Sequence, residues 1–286
     1  MSGEPGSGAE GLAALAGLEG LAGLVDVHCH LDSERLGRPI QAVLDEARAA
    51  GVERFVMAGV DPDGWRAQVG LARRFEGLFP VFGIHPQLVP ELSSKDVESM
   101  LAELDGALRG DYGIRPVALG ELGFDRLTEA SRAAMPLQEV AFREQLRLAK
   151  RHELPVVLHL LRSDELALRV LREEGLPSRG GLVHSFSGAR EFARALVKLG
   201  LHVSFCGSLA RPQSRRLREA ALEVPRERLL IETDTPDQSP PPFQREPSRP
   251  AMLPLVLRAL AEARGEPLDE LGRVTADNAR RLLALS

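Results

Sequence analysis

From Leu24 onward the chain alternates short apolar runs with amphipathic segments. The apolar runs are 24–30, 54–60, 78–86, 116–125, 155–161, 181–188, 202–208 and 229–236. Each run is short and apolar, which predicts a buried parallel strand. The intervening segments, such as 39–51 and 189–200, have apolar residues at helical spacing, and several end at a glycine. The pattern predicts eight strand–helix units, followed by a helical region from 253 to 285.

Eight such units within about 250 residues predict an α/β fold of the TIM (β/α)8 class, with eight parallel strands. A doubly wound sheet would instead carry a glycine-rich fingerprint in its first βα turn. That spacing occurs at Gly6, Gly8 and Gly11, but no strand precedes it. We therefore expect residues 1–23 to be a flexible extension and residues 24–286 to form the barrel. The proline-rich stretch 235–250 predicts a long irregular loop after the eighth strand.

Composition and charge narrow the function classes. The 286 residues include 36 basic and 41 acidic side chains, a net charge of −5. This balance argues against a strongly basic nucleic-acid coat, so a phosphate substrate would need local positive charge or metal ions. Cys29 and Cys206 make no disulfide framework, which favours a reducing compartment. No apolar run approaches the ~18 residues of a membrane span, so we expect no membrane attachment. We expect a cytoplasmic protein and favour a monomer.

The first strand ends in a pair of histidines, His28 and His30. Residues i and i+2 of a strand point to the same face, so both imidazoles should point into the barrel mouth while Cys29 points to the helix layer. Two adjacent imidazoles fill a core poorly and bind metals well. The alternative is a pair of surface histidines at a strand end. The other strand-end groups favour a metal site.

Four further strands end in a titratable side chain: Glu121, His159, His184 and Asp234. A carboxylate that ends an apolar run is costly unless it is paired or binds a metal. Glu121 could therefore bridge two cations, or it could be a rim glutamate paired to an arginine. Each histidine alone could be a buried and satisfied side chain. In a TIM barrel, however, catalytic groups collect at the carboxyl ends of the strands, where these residues should meet.

This set of side chains supports two cations. One would be held by His28, His30, Glu121 and Asp234, and the other by Glu121, His159 and His184. Two-metal sites activate water and stabilise the oxygens of a phosphate. Imidazole-rich ligation suits Zn, Mn or Fe, whereas Mg prefers more oxygen ligands. A lysine-bridged pair of metals is disfavoured, because none of the three lysines ends a strand.

The sequence resembles the TatD family of metal-dependent deoxyribonucleases, within the amidohydrolase-type barrels. The motifs that carry the resemblance are Asp26-Val27-His28-Cys29-His30, Gly83-Ile84-His85-Pro86, Gly120-Glu121-Leu122-Gly123-Phe124-Asp125, Leu158-His159, His184-Ser185-Phe186-Ser187-Gly188 and Glu232-Thr233-Asp234. The resemblance implies that the six ligands carry over, and that His85 contacts a substrate phosphate. It also implies two divalent metal ions (Mg, Mn or Zn), a DNA substrate with single strands or 3′ ends, and cleavage that is often exonucleolytic from the 3′ end.

The chain departs from the family pattern at likely phosphate-binding positions. Many members carry an arginine two residues after the fifth-strand histidine, where this chain has Leu161 and then Arg162. The family often has Arg-Asn-Glu-Pro late in the chain, for which Arg245 and Arg249 stand in the nearest matches. We predict Arg162, Arg245 and Arg249 as substrate contacts. Arg211, after the seventh strand, could contact DNA or lie on a solvated helix face.

The sequence therefore predicts a metal-dependent deoxyribonuclease of TatD type. Glu121, His85 and Asp234 are its expected catalytic residues, and Asp234 is expected to accept the proton of the attacking water. Two alternatives stay open. The same site could hydrolyse another ester or an amide, or the barrel could bind metal without catalysing a reaction.

Overall fold

The computed structural model describes residues 18–285, so most of the predicted extension lies outside the described residues. The strands are β1 (Leu24–Cys29), β2 (Val52–Met57), β3 (Leu78–Phe79), β4 (Val81–Phe82), β5 (Ala118–Asp125), β6 (Val156–Leu161), β7 (Gly181–Val183), β8 (His202–Phe205) and β9 (Leu229–Ile231). The helices are α1 (Ile40–Ala49), α2 (Pro62–Arg74), α3 (Ser94–Arg109), α4 (Glu129–Ala133), α5 (Met135–Arg151), α6 (Asp164–Glu174), α7 (Arg190–Lys198), α8 (Arg215–Glu223), α9 (Leu253–Arg264) and α10 (Leu268–Leu283).

Every strand pair is parallel, in the order β1-β2-β3 and β4-β5-β6-β7-β8-β9. Pro80 separates β3 from β4, because proline has no N–H to donate to a ladder. β3 pairs with β2 and β4 pairs with β5, so the nine segments occupy the eight predicted strand positions. The predicted third strand is thus shorter than its apolar run, and His85 lies on the loop after β4.

The last strand position meets the first. The Asp234 N–H donates to the His28 carbonyl at 3.0 Å, and the His30 N–H donates to the Thr235 carbonyl at 2.7 Å. Cys29 and Thr235 form a parallel bridge at the same seam. The prediction of a TIM (β/α)8 barrel is confirmed.

Two apolar layers hold the barrel together. The interior contains small strand residues, such as Val27, Val56 and Val157, together with side chains of α10, which covers the amino-terminal end. The second layer lies between strands and helices and includes Cys29, the residue that was expected to point to the helix layer. The interior is therefore filled at the amino-terminal end, which leaves the carboxyl-terminal end for the polar side chains.

The described chain begins with Leu18, which is buried against Met252 and Leu255. The Gly23 N–H donates to the Glu53 carboxylate at 3.1 Å. Residues 18–23 therefore contact the barrel. Among the helices of residues 18–285, none has the length and hydropathy that a membrane crossing requires.

Candidate metal centre

The six predicted ligands converge at the carboxyl-terminal end of the barrel. His28 is the last residue but one of β1, and His30 lies just beyond the strand. Glu121 and His159 lie within β5 and β6, and His184 and Asp234 follow β7 and β9. Four of these six side chains are buried, and the other two, His30 and His159, are partly exposed. Potential ligand atoms form three groups, and within each group the atoms lie within 4.8 Å of one another. The groups are His28, His184 and Asp234; His28, His30 and Glu121; and His85, Glu121 and His159.

The two oxygens of Glu121 face different sets of imidazoles. Oε1 lies 3.4 Å from His28 Nε2 and 3.6 Å from His30 Nε2. Oε2 lies 2.7 Å from His184 Nε2 and 3.5 Å from His159 Nδ1. His85 Nε2 also faces Oε2, at 3.3 Å, although it was not among the predicted ligands. Glu121 thus lies between the two predicted sets of ligands, which stay a prediction.

Local irregularities of the strands aim these side chains. The pairing of β5 with β6 changes register between Gly120 and Leu122, at the position of Glu121. The pairing of β1 with β2 changes register between Asp26 and Cys29, on either side of His28. Such irregularities redirect a side chain relative to the regular alternation of a strand. They explain how Val27 can fill the barrel interior while His28, the next residue, also faces the site.

Asp234 faces the same two imidazoles as Glu121 Oε1. Its Oδ1 lies 3.9 Å from both His28 Nε2 and His30 Nε2. Its φ of 52° is in the left-handed region, which is uncommon for residues other than glycine. The hydrogen bond from its N–H to the His28 carbonyl holds this conformation at the barrel seam. The backbone strain is thus located at a residue that faces the site, as is common in active sites.

The unpartnered atoms of the site test whether it fits a metal. His28 Nε2 and both Glu121 oxygens are buried and have no hydrogen-bond partner among the described residues. Buried polar atoms normally have partners, because leaving one unpaired costs free energy. Here the unpartnered atoms are imidazole nitrogen and carboxylate oxygens that face one another. This donor set fits divalent cations.

The electrostatics of the site keep Glu121 and His30 in the states that bind cations. Burial alone would raise the pKa of Glu121, but the imidazoles of His85, His184 and His28 hold that pKa well below its usual range. Burial lowers the pKa of His30 to about 3. Burial also raises the pKa of Asp234 to about 6. An ionised Glu121 and a neutral His30 are the forms that ligate metals. Against the effect of burial, neighbouring carboxylates raise the pKa values of His159 and His184, so a cation would have to displace a proton from these rings.

A hydrogen-bonded hub lies beneath the site and joins β1 to the segment after β9. Asp26 accepts from the Thr233 hydroxyl at 2.5 Å and from the Thr233 N–H at 3.0 Å. It also accepts from the His28 N–H at 3.3 Å. Burial raises the pKa of Asp26 to about 7, although the Thr233 hydrogen bonds act to lower it. The hub fixes the strand that carries His28 relative to the one that leads to Asp234.

Two further carboxylates lie behind histidines that face Glu121. Asp125 Oδ2 lies 3.1 Å from His159 Nε2, so His159 Nδ1 faces Glu121. Glu232 Oε1 lies 3.6 Å from His184 Nδ1 and accepts from the Ser185 N–H at 2.5 Å. Carboxylates in this position orient a histidine and make its other nitrogen a better ligand. Glu232 and Asp125 therefore support the two histidines of the second ligand set.

A cleft of about 1210 Å³ opens above these residues and is lined by His30, His85, Glu121, His159, His184 and Asp234, among others. Within residues 18–285, the arginines that line it are Arg35 and Arg211. The predicted contacts Arg162, Arg245 and Arg249 do not line the cleft. Arg162 and Arg245 are exposed.

The guanidinium of Arg249 has other partners. It pairs with Glu46 and Glu246, each at 3.2 Å, and lies over the Phe243 ring. Arg35 pairs with Asp237 through two hydrogen bonds of 2.8 and 2.7 Å at the cleft mouth. Arg211 NH2 lies 3.3 Å from Gln238 Oε1. The loop after β9 therefore contributes acidic and amide groups to the cleft, while its two arginines lie elsewhere.

Comparison with known proteins agrees with this geometry. The profile of the family described as TatD related DNase matches residues 25–284. The chain belongs to the TatD family. It is 30% identical over 263 residues to the Bacillus subtilis protein described as uncharacterized metal-dependent hydrolase YabD. The aligned region covers 92% of this chain and 100% of that protein. It is 32% identical over 255 residues to Escherichia coli YjjV, which has the same description, covering 89% and 95%.

The solved structures lead to the same assignment. The crystal structure of YjjV, a TatD homolog from Escherichia coli, superposes with a TM-score of 0.86 at 31% identity, covering 93% of this chain and 99% of that one. A TatD family hydrolase from Entamoeba histolytica has the same fold, with a TM-score of 0.76 at 18% identity over 92% and 98% of the two chains. This TatD-family chain is a metal-dependent hydrolase.

Sequence reasoning on this TatD-family chain missed two residues of the cleft. Arg35 follows the histidines of β1 by a few residues, and its place on the first βα loop was an available signal. Gln87 follows His85 by two residues and donates its side-chain amide to Asp125 at 2.8 Å. A glutamine in a loop carries no pattern of its own, so this role is visible only in three dimensions.

Proposed function

We propose that this TatD-family hydrolase is a deoxyribonuclease that cleaves DNA phosphodiester bonds, working as an exonuclease from 3′ ends on single strands. The division of the Glu121 oxygens between two sets of imidazoles carries the proposal. His28, His30, Glu121 and Asp234 would hold one divalent cation, and Glu121, His159 and His184 a second. Mg, Mn or Zn would suit this mixed set of nitrogen and oxygen donors.

When bound, two cations supply an activated water and neutralise charge on the phosphate. The residues of this chain do the remaining work. Asp234 lies at the cleft beside His28 and His30, where its carboxylate can accept the proton of the attacking water. His85 lines the same cleft, with Nε2 3.3 Å from Glu121 Oε2, and would donate a hydrogen bond to a phosphate oxygen.

Arg35 and Arg211 are the arginines best placed to meet the substrate backbone, because they line the cleft. A phosphate can compete with Asp237 for Arg35, since the Arg35–Asp237 pair is exposed to solvent. Arg162, Arg245 and Arg249 remain predicted contacts for parts of a DNA chain that extend beyond the cleft. Arg162 and Arg245 are exposed and available for this role.

A cleavage assay tests the proposal. Single-stranded DNA labelled at the 5′ or the 3′ end is incubated with metal-loaded protein, its Asp234→Asn variant and the matched control Asp63→Asn. Asp63 is an exposed carboxylate that lines the same cleft and pairs with Arg66. We expect stepwise shortening from the 3′ end, a loss of at least ~100-fold in Asp234→Asn, and little change in Asp63→Asn. Equal cleavage by parent and Asp234→Asn would remove Asp234 from the mechanism.

One observation favours a second function, the hydrolysis of another ester or of an amide. The cleft is lined by two arginines but by four carboxylates outside the predicted ligand set. These carboxylates are Asp32, Asp61, Asp63 and Asp237. Burial raises the pKa of Asp32 to about 6, and Asp61 adds to that rise. Such a rim would repel a polyanion. A panel of phosphodiesters, carboxylic esters and amides separates the two functions, and bound metal with no turnover on any of them would indicate a non-catalytic barrel.

We also propose a monomeric cytoplasmic protein whose barrel spans residues 24–286, with residues 1–23 as an extension. The free and buried thiols of Cys29 and Cys206 support a reducing compartment. Light scattering of the purified protein tests the monomer.

A further inference from the structure

Two histidines of the cleft, His85 and His159, lie side by side with ring centroids 4.6 Å apart. Both face Glu121 Oε2, His85 through Nε2 at 3.3 Å and His159 through Nδ1 at 3.5 Å. By distance alone either could hold a cation, and both belong to one group of potential ligands with Glu121. What separates them is the hydrogen bond at the other nitrogen of each ring.

Gln87 occupies that other nitrogen on His85. The Gln87 main-chain N–H donates to His85 Nδ1 at 3.1 Å. Nδ1 must therefore carry a lone pair, and in a neutral imidazole the proton then sits on Nε2. If a neutral His85 ligated a cation through Nε2, its proton would have to sit on Nδ1. Two N–H donors, His85 Nδ1–H and the Gln87 main-chain N–H, would then point at each other. His85 is thus a hydrogen-bond donor toward the site.

The Gln87 side chain acts on His159 through Asp125. Its amide Nε2–H donates to Asp125 Oδ2 at 2.8 Å, and the Leu127 N–H donates to Asp125 Oδ1 at 2.8 Å. Held from both sides, Asp125 presents Oδ2 to His159 Nε2 at 3.1 Å. The Asp125 carboxylate accepts and does not donate, so Nε2 of His159 carries a proton. Nδ1 is then the nitrogen that can ligate a cation beside Glu121, and it also lies 2.9 Å from His184 Nε2.

We propose that Gln87 is a positioning residue that assigns opposite tasks to these two histidines. Its main-chain N–H makes His85 a donor to the substrate, and its side chain, through Asp125, makes His159 a metal ligand through Nδ1. The proposal rests on the proposed function only for the identity of the substrate. The assignment of donor and ligand concerns the metal centre itself, so it can be tested even if the substrate is a different ester.

The test compares Gln87→Met with the matched control Gln213→Met. The first variant keeps the side-chain length and the main-chain N–H but removes the amide. Gln213 is an exposed glutamine that lines the same cleft. Zn²⁺ and Mn²⁺ dissociation constants are measured by competition with a chelating dye. The expected result is binding weakened ~10-fold or more in Gln87→Met, unchanged binding in Gln213→Met, and recovery of most of kcat at saturating metal because His85 keeps its N–H partner.

Long-range ¹H–¹⁵N spectra of ¹⁵N-histidine-labelled, metal-free protein read the tautomers directly. We expect Nε2 of His159 to be protonated in the parent and to lose this strict preference in Gln87→Met, whereas His85 keeps its proton on Nε2 in both. Weaker metal binding with an unchanged His159 tautomer would overturn the proposal, since the effect would then come from packing. Unchanged metal binding would overturn it as well.

His85 variants test the other half. His85→Ala is expected to keep the metal content of the parent but lose turnover. His85→Gln, whose amide can still donate at the position of Nε2, is expected to regain part of that turnover. The loss of one metal equivalent in His85→Ala would make His85 a ligand and overturn the assignment. If the parent binds metal yet cleaves no phosphodiester, the deoxyribonuclease proposal fails, while the dye competition and the spectra still decide the role of Gln87.

Discussion

Replacement of Thr233 by valine tests whether the hub under the metal centre stabilises the barrel. Valine has nearly the same shape, so packing is kept, but Asp26 loses the hydroxyl that donates to its Oδ2 at 2.5 Å. Asp26 is fully buried, so no solvent replaces the lost partner. The Thr233 N–H and the His28 N–H still reach Oδ1, which limits the damage to one carboxyl oxygen.

An unpartnered buried oxygen of this kind costs about 1–3 kcal/mol, so we expect unfolding to become easier by about 2 kcal/mol. For a domain of this size that corresponds to a melting temperature lower by about 3–4 °C. The measurement is urea and thermal unfolding in metal-free buffer, because bound cations would add their own stabilisation.

Thr235→Val is the matched control. It removes the hydrogen bond between the Thr235 and Thr233 hydroxyls, 2.7 Å apart, and leaves the Thr233–Asp26 contact in place. We expect it to cost less than about 1 kcal/mol, the usual net value of a single hydrogen bond. Equal losses in the two variants, or no loss in Thr233→Val, would refute the idea that the Asp26 contact holds the seam.

Two further predictions concern the metals and the pH dependence of stability. Glu121→Gln has one carbonyl oxygen in place of two equivalent oxygens, so elemental analysis should find at most one tightly bound metal per chain; two retained metals would rule out bridging. His202→Gln removes a histidine whose pKa is lowered to about 4, mainly by burial and then by Arg228. A lowered pKa means that the unfolded chain binds the proton first, so the stability that neutral His202 contributes is present above pH ~6.5 and is lost as the pH falls to 4. The stability of the parent relative to His202→Gln, measured by urea unfolding, should therefore fall by about 3 kcal/mol between pH 7 and pH 4, and a constant difference would contradict this.

The apolar runs and their strand-end residues were sufficient to predict the barrel and the side chains that meet at its carboxyl-terminal end. Strands of a (β/α)8 barrel are parallel, so residues such as His28, Glu121 and His159 that end different runs must meet at one rim. The metal site follows from the same topology together with the cost of burying unpaired polar groups. The bridging position of Glu121 could be expected, because only a carboxylate offers two equivalent oxygens.

The positions of the arginines predicted to contact the substrate could not be derived in the same way. Arg245 and Arg249 lie in the loop after Asp234, but the path of a long loop depends on contacts remote in sequence. Arg249 pairs with Glu46 on α1, some 203 residues away, and so lies outside the cleft. Arg35 lines the cleft instead and meets Asp237 across 202 residues.

The sequence by itself determined the class of fold, the metal-dependent chemistry and the side chains that meet at the proposed metal centre. These follow from periodicity and from the topology of parallel strands, both of which are local or nearly local properties. Only the tertiary structure decided which groups lie behind the predicted ligands and which arginines line the cleft. Hydrogen-bond partners such as Gln87 and Asp125 depend on distances of a few tenths of an ångström between loops far apart in the chain, and no spacing along the sequence encodes such distances.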